Sequence, residues 1–218
     1  LILAMDRKPK VFVARADIFK NPTLAKIFAF LKIMPIMRMR DGISEVKKND
    51  KTIEKSVDVL RDKVPFCIFP EGQHQANHSA QPLSKGIFRI AFQAQEMMPD
   101  MPLYIVPVGL QYGNFFRFRS TINVNIGNPI NVKEFLQENS SFTPQEQMNK
   151  IKDILAERMK SLIMYIPNDE QYEATYEICA ASMRPQRKRL LASVPKGSIH
   201  PNLAQFEANN ITCRTVAR

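Results

Sequence analysis

Short apolar runs and longer amphipathic stretches alternate along the first 130 residues, and the rhythm changes near residue 143. Leu1–Met5 reads as the end of a helix and Val11–Ala14 as a short strand. Asn21–Pro22–Thr23 is a helix start, with Asn21 as cap and Pro22 at the first helical position. In the helix predicted over 22–34, Leu24, Ile27, Phe28 and Leu31 share one face, with Lys20, Lys26 and Lys32 along its sides. Such a stripe is expected to pack on a core. Phe30, Ile33 and Met34 make the helix apolar on more than one side, which keeps open a basic helix lying on lipid. Met34–Met39 reads as a second strand that delivers Arg38 and Arg40. Asn49 or Asp50 caps the next helix, which turns Ile53, Val57 and Leu60 inward and ends near Asp62.

The most informative stretch is Val64–Ala91. Pro65–Phe69 has the length and composition of a buried strand. It stops at Pro70–Glu71–Gly72, where proline cannot continue a central ladder and glycine opens further backbone conformations. A polar loop, Gln73–Gln81, carries His74 and His78. Pro82 and Ser84 then start a helix over 83–98, with Ile87, Ile90, Ala91 and Ala94 inward. A lone carboxylate therefore sits at the C-terminal end of a strand, where open α/β sheets bind ligands. Met97–Pro102 (MMPDMP) resets the chain. Leu103–Gln111 is a β-forming run whose Pro107 marks an edge, a bulge or a strand end. Thr121–Ile126 alternates with period two.

Strands and helices alternating from 11 to about 132 predict an α/β fold: a mixed, largely parallel sheet flanked by helices, followed by a C-terminal helical region. Thr143–Pro144–Gln145–Glu146 is a capping box. Met148, Ile151, Ile154, Leu155, Leu162 and Ile166 predict a long helix, and a further one is expected over about 169–183. The expected organisation is an α/β core over 1–132, incomplete at its N-terminus, a helical extension over 143–184 and a basic tail over 185–218 in which no period is sustained.

Charge changes the picture. The formal net charge is +10, with nine Lys/Arg against two acids in residues 1–40 and seven against one in residues 184–218. The partners to weigh are an anionic membrane surface, phosphorylated molecules and nucleic acid. No Gly-aromatic RNA signature, zinc spacing or aromatic-interleaved basic stripe supports nucleic acid, and no Gly-rich loop supports a soluble phosphosugar enzyme. Cys67, Cys179 and Cys213 lie far apart, which argues against a disulfide framework and fits a reducing compartment. No apolar run reaches the ~18 residues of a membrane span. His74 and His78, four apart, have no carboxylate or cysteine close by, so no metal site is expected.

Phe69–Pro70–Glu71–Gly72 ending a strand, with Lys85–Gly86 opening the next helix, resembles the glycerolipid acyltransferases, in particular the bacterial 1-acylglycerol-3-phosphate acyltransferases. Pro35–Ile36–Met37–Arg38 is similar to that family's second block, whose Arg suits a phosphate. Ile105–Val106–Pro107–Val108 resembles its fourth block, an apolar strand lining the acyl side. After Glu71–Gly72 the chain departs from the family, with Gln73–His74–Gln75 in place of Thr-Arg-Ser. The phosphate-holding Arg is thus replaced by His74, and Arg38, Arg40 or Lys85 is expected to take over part of its task.

The resemblance implies transfer of a fatty acyl group from acyl carrier protein or coenzyme A to the hydroxyl of a lysophosphatidate-like glycerolipid in phospholipid synthesis. It implies no metal or cofactor, a lysophospholipid acceptor, no nucleic-acid partner, and a seat on the cytoplasmic face of an anionic cell membrane. The expected substrate-binding residues are Arg38, Glu71, Gly72, His74 and Lys85. The family's general base is a His followed five positions on by an Asp. His74, His78 and His200 are followed at that spacing by Ser79, Leu83 and Gln205. No catalytic residue is therefore assigned; the base is expected upstream of Leu1, and residues 1–218 are expected to be inactive alone. A basic nucleic-acid-binding α/β module and the acylation of a different lipid acceptor are the alternatives.

Overall fold

The structure is a computed structural model that describes residues 10–36, 49–72, 77–112 and 121–216. The readings of Leu1–Met5 as a helix end, of Met37–Met39 as strand and of Arg38, Arg40, Gln73, His74 and Gln75 lie outside these residues. The chain divides into two units, each described by itself: 1–72, 84–104 and 131–148 form one, and 73–83, 105–130 and 149–218 the other.

The first unit is built on a three-stranded parallel sheet. Strand β1 (Val11–Arg15) lies between β2 (Ile33–Ile36) and β3 (Phe66–Cys67). Phe12 is paired with Ile33 on one side and Cys67 on the other. Val11 and Val13 are buried, as a central strand requires. β3 is shorter than the predicted 65–69, and Ile68 and Phe69 lead from it to Pro70 and the Glu71–Gly72 turn; Gly72 adopts φ +63°, a region that favours glycine.

Helix α1 (Pro22–Phe30) follows a 3₁₀ turn over Ala16–Lys20 and makes the crossover from β1 to β2. Its start is as read: the Asn21 side chain accepts the amides of Thr23 (2.9 Å) and Leu24 (3.3 Å). Its end differs. The helix stops before Leu31, Lys32 turns to φ +57°, and Ile33 and Met34 enter β2. Helix α2 (Asn49–Arg61) buries Ile53, Ser56 and Val57.

Helix α3 (Gly86–Met97) begins three residues later than predicted and buries Phe88, Ile90, Ala91, Phe92, Ala94 and Gln95. Val57 packs with Ala94 and Met98 in this unit's core. The buried Gln95 amide is fully occupied: it donates to the carbonyls of Met98 (2.9 Å) and Met101 (3.0 Å) and accepts the Leu103 amide (2.9 Å). That network fixes the MMPDMP turn, since leaving such a group unpaired costs about 1–3 kcal/mol. Helix α4 (Val132–Glu138) places Phe135 against Phe92, ring centroids 6.4 Å apart. β4 (Tyr104–Ile105) and β7 (Ile130–Asn131) lie where the chain passes between units.

In the second unit, β5 (Val108–Tyr112) and β6 (Ile122–Ile126) form an antiparallel pair with Gly109 opposite Asn125. Pro107 ends the preceding run, and its carbonyl accepts the Gly127 amide at 2.9 Å. The alternation in β6 is real but its polar side is the packed one. Asn125 donates to the Leu162 carbonyl at 2.7 Å and Asn123 to Gln111 at 3.3 Å, while Ile126 is 66% exposed.

Helix α5 (Pro144–Lys160) opens with the expected capping box; the Glu146 carboxylate accepts the Thr143 amide at 2.8 Å and its hydroxyl at 2.7 Å. It ends before Leu162, which lies in the turn that follows, and before Ile166, which is buried in the irregular segment beyond. Helix α6 (Tyr172–Ser193) does not stop at Pro185 but runs through it. Pro185 and Ala181, whose carbonyl it leaves unbonded within the helix, are both exposed, so water meets the loss. Helix α7 (Pro201–Val216) packs on α6 and buries Ala204, Phe206, Ala208, Asn210, Thr212 and Cys213. The segment in which the sequence shows no period is thus mostly helical.

Candidate functional site

Parallel strands bring their C-terminal ends to one edge, and here those ends are Arg15, Ile36 and Cys67. Two of them lead into the sequence-predicted residues: Arg38 follows β2 by two positions, and Glu71 follows β3 by four. Such an edge is where a doubly wound sheet accepts a ligand, because no strand continues to block it.

The far side of the site is set by one backbone hydrogen bond. The Ser84 amide donates to the Pro70 carbonyl at 2.8 Å. Pro70 is buried. Glu71 and Lys85 are therefore each one residue beyond a bonded pair, although fourteen positions separate them in the chain. The structure places Glu71, Gly72 and Lys85 next to this one backbone closure, with no ion pair between the Glu71 and Lys85 side chains; Arg38 and His74 lie outside the described residues. Glu71 is half-buried, whereas Lys85 and Gly72 are exposed. Lys85 is the N-cap of α3 with no side-chain capping bond, and no ion pair among the described residues occupies its ammonium. A carboxylate and an ammonium held at a strand tip can orient a hydroxyl and attract a phosphate, respectively.

Cys67 lies just before this turn. Burial pushes its thiol above the ordinary range, so it stays protonated at neutral pH and is a poor acyl-accepting nucleophile. Among the described residues no group of three His, Cys, Asp or Glu is placed to hold a metal ion.

His78 serves the second unit. Its amide donates to the Tyr172 hydroxyl at 3.0 Å, its carbonyl accepts the Ile166 amide at 2.9 Å, and its ring stacks on Tyr176 at 5.7 Å. Burial lowers its pKa. The unfolded chain takes up a proton near pH ~6.5, while the folded chain resists it. Stability tied to the neutral ring is full above that pH and is lost as pH falls through the folded value. The urea midpoint should therefore fall more between about pH 7 and 5 for the wild type than for His78→Phe, which keeps the stack without the titration. Parallel curves would refute this assignment.

What sequence reasoning missed is the exposure of α1. Its predicted core stripe faces outward: Leu24 is 42% exposed, Ile27 48% and Phe30 86%, and no residue of the helix is buried. Only Phe28 of the stripe turns in, against Phe19 with ring centroids 5.1 Å apart. The excess of apolar residues around the helix was the available signal. Among the described residues, no helix is long and apolar enough to cross a membrane.

The acyltransferase family model matches residues 1–111, just over half of the chain and the part that carries the strand-tip site. The chain belongs to the acyltransferase family. It is 29% identical over 147 residues to glycerol-3-phosphate O-acyltransferase 2 of Saccharomyces cerevisiae, covering 67% of this chain and 19% of that protein. It is 30% identical over 107 residues to glycerol-3-phosphate O-acyltransferase 1 of the same yeast, covering 49% and 14%. The chain thus spans less than a fifth of the length of these relatives. Among solved structures it is similar to the 1-acyl-sn-glycerophosphate acyltransferase of Thermotoga maritima, with a TM-score of 0.40 and 15% identity over 69% of this chain and 55% of that one. The family resemblance carried by Phe69–Gly72 and Lys85–Gly86 is borne out.

Proposed function

We propose that this acyltransferase-family chain carries the acceptor-binding half of an enzyme that moves a fatty acyl group from an acyl carrier protein or coenzyme A thioester to a lysophosphatidate-like glycerolipid. The observation that supports this most is the Pro70–Ser84 closure, from which Glu71 and Lys85 are each one residue away, at the edge of a parallel sheet. Glu71 orients the attacking hydroxyl, Lys85 and Arg38 hold the phosphate, His74 stands where the family has an arginine, and Gly72 lets the turn approach the head group. The hydroxyl oxygen bonds to the thioester carbon, the carbon–sulfur bond breaks, and the hydroxyl proton passes to a base. That step needs neither metal nor bound cofactor.

The base is not His78, whose ring is held on Tyr176, and neither His74 nor His200 has an Asp at the family's spacing. No histidine of residues 1–218 therefore has the family's His/Asp pairing. Those residues alone should release no free thiol from acyl-coenzyme A with lysophosphatidate present; thiol release above the uncatalysed rate would contradict this.

Glycerol 3-phosphate itself as acceptor is a second reading, favoured by the two yeast relatives, both glycerol-3-phosphate O-acyltransferases. Calorimetric titration of residues 1–218 with short-chain lysophosphatidate, glycerol 3-phosphate and phosphate-free monoacylglycerol tests both. Either phosphate ligand should bind about tenfold or more tightly than monoacylglycerol, from one charge-assisted contact. Equal affinity for all three would end the proposal.

The enzyme would sit peripherally on the cytoplasmic face of the cell membrane, with α1 in the interface. Burying a large apolar side chain is worth about 1.5–3 kcal/mol, and a lysine near an anionic surface about 1 kcal/mol. Leu24, Ile27 and Phe30 thus outweigh Lys20, Lys26 and Lys32, so binding should survive salt in part. Ile27→Asp with Phe30→Asp should abolish flotation with phosphatidylglycerol vesicles. Unchanged flotation, or retention on DNA in its place, would remove α1 from this role.

A further inference from the structure

The basic run Arg184–Arg189 has no task in the site above, and in the sequence it reads only as charge. In the second unit it lines an open hollow of about 410 Å³, bounded by Arg184, Arg187, Lys188 and Leu191 of α6 and Gln205 of α7. The four α6 residues recur at i, i+3, i+4 and i+7 and so share one face of the helix. Three positive charges on that face repel one another, and no ion pair among the described residues relieves them.

One of the three shows a deficit. The Nε of Arg187 is buried and has no hydrogen-bond partner among the described residues. A buried unsatisfied donor costs about 1–3 kcal/mol, more when it is charged, so it calls for a partner. Arg184 and Lys188 are exposed at the same hollow. The lining offers two guanidinium groups, an ammonium and one amide, with no carboxylate. A guanidinium fork matches two oxygens of a tetrahedral oxyanion, and an ammonium adds a point charge.

We propose that this hollow binds a phosphate monoester, with the Arg187 guanidinium as anchor and Arg184, Lys188 and Gln205 closing around the remaining oxygens. Nothing in this site depends on the acyltransferase reading. The monoester belongs either to a soluble metabolite or to a lipid head group, and Leu191 at the rim suits an organic substituent on the ester oxygen.

The test uses residues 1–218 carrying Lys85→Ala, which weakens the strand-tip site equally in every variant compared. One arm titrates inorganic phosphate by calorimetry. The other floats the protein with phosphatidic acid vesicles and compares phosphatidylcholine vesicles. The exposed pair Arg184→Gln with Lys188→Gln should weaken binding about tenfold or more, as should Arg187→Lys, which keeps the charge and loses the fork. Arg189→Gln, exposed on the same helix but outside the hollow, should change it by less than about twofold. An effect in the phosphate arm assigns a soluble ligand, and one confined to the vesicle arm assigns a head group. The proposal is overturned if Arg184→Gln with Lys188→Gln changes neither arm, or if Arg189→Gln weakens binding as much.

Discussion

Gly109→Ala is expected to unfold the second unit at temperatures where the wild type stays folded. A Cβ at Gly109 would stand 2.6 Å from the Leu162 Cβ, 2.6 Å from its carbonyl oxygen and 2.9 Å from its carbonyl carbon. Two of these atoms are backbone and cannot swing aside. The same carbonyl is pinned on its other side by the Asn125 amide at 2.7 Å, and Asn125 is the cross-strand partner of Gly109. Relief therefore requires moving the segment after α5 off the β5–β6 pair. The cost is about 3 kcal/mol, the upper part of the overpacking range. For a unit of this size that lowers the melting temperature by about 10 °C or more. Gly86→Ala, where the added carbon meets open space, should leave it within about 2 °C. Equal melting of the two variants would show that Leu162 does not press on Gly109.

Lys85→Ala is expected to weaken lysophosphatidate binding by residues 1–218 about tenfold at low ionic strength. An ammonium–phosphate contact contributes about 1.5–3 kcal/mol where water is excluded. Lys85 is exposed, so the lower end applies and added salt should shrink the difference. Glu71→Gln keeps the shape and removes the charge that accepts the glycerol hydroxyl. It should weaken lysophosphatidate, but not inorganic phosphate, which has no hydroxyl to present. Loss of both ligands together would make Glu71 a support of the turn, without a direct contact to the acceptor.

These residues were legible because their signals are local. Asn21 and Pro22, Thr143 and Glu146, and the Phe69–Gly72 turn each settle their conformation within four residues, and the structure repeats them. The site's closing bond was not legible: nothing in Ser84 announces that its amide reaches back to Pro70 across fourteen positions. The face that α1 presents was misread because spacing identifies a stripe but not what covers it. Helix α6 was cut short at Pro185, since a proline whose lost bond faces water carries no tertiary penalty. Helix α7 was invisible because Asn210 and Thr212 sit among its buried residues. Thr212 donates to the Ala208 carbonyl at 2.8 Å and Asn210 accepts from Gln111, so polar groups are satisfied where a hydrophobic period would have marked the helix.

The strand-tip account rests on Glu71 and Lys85 gripping one molecule, and a double-mutant cycle on lysophosphatidate affinity measures that directly. Glu71→Gln, Lys85→Ala and the combined variant should lose less together than the sum of their separate losses, with a coupling of about 1 kcal/mol. Strict additivity, or two variants that bind as tightly as the wild type, would mean that the two side chains do not share a ligand.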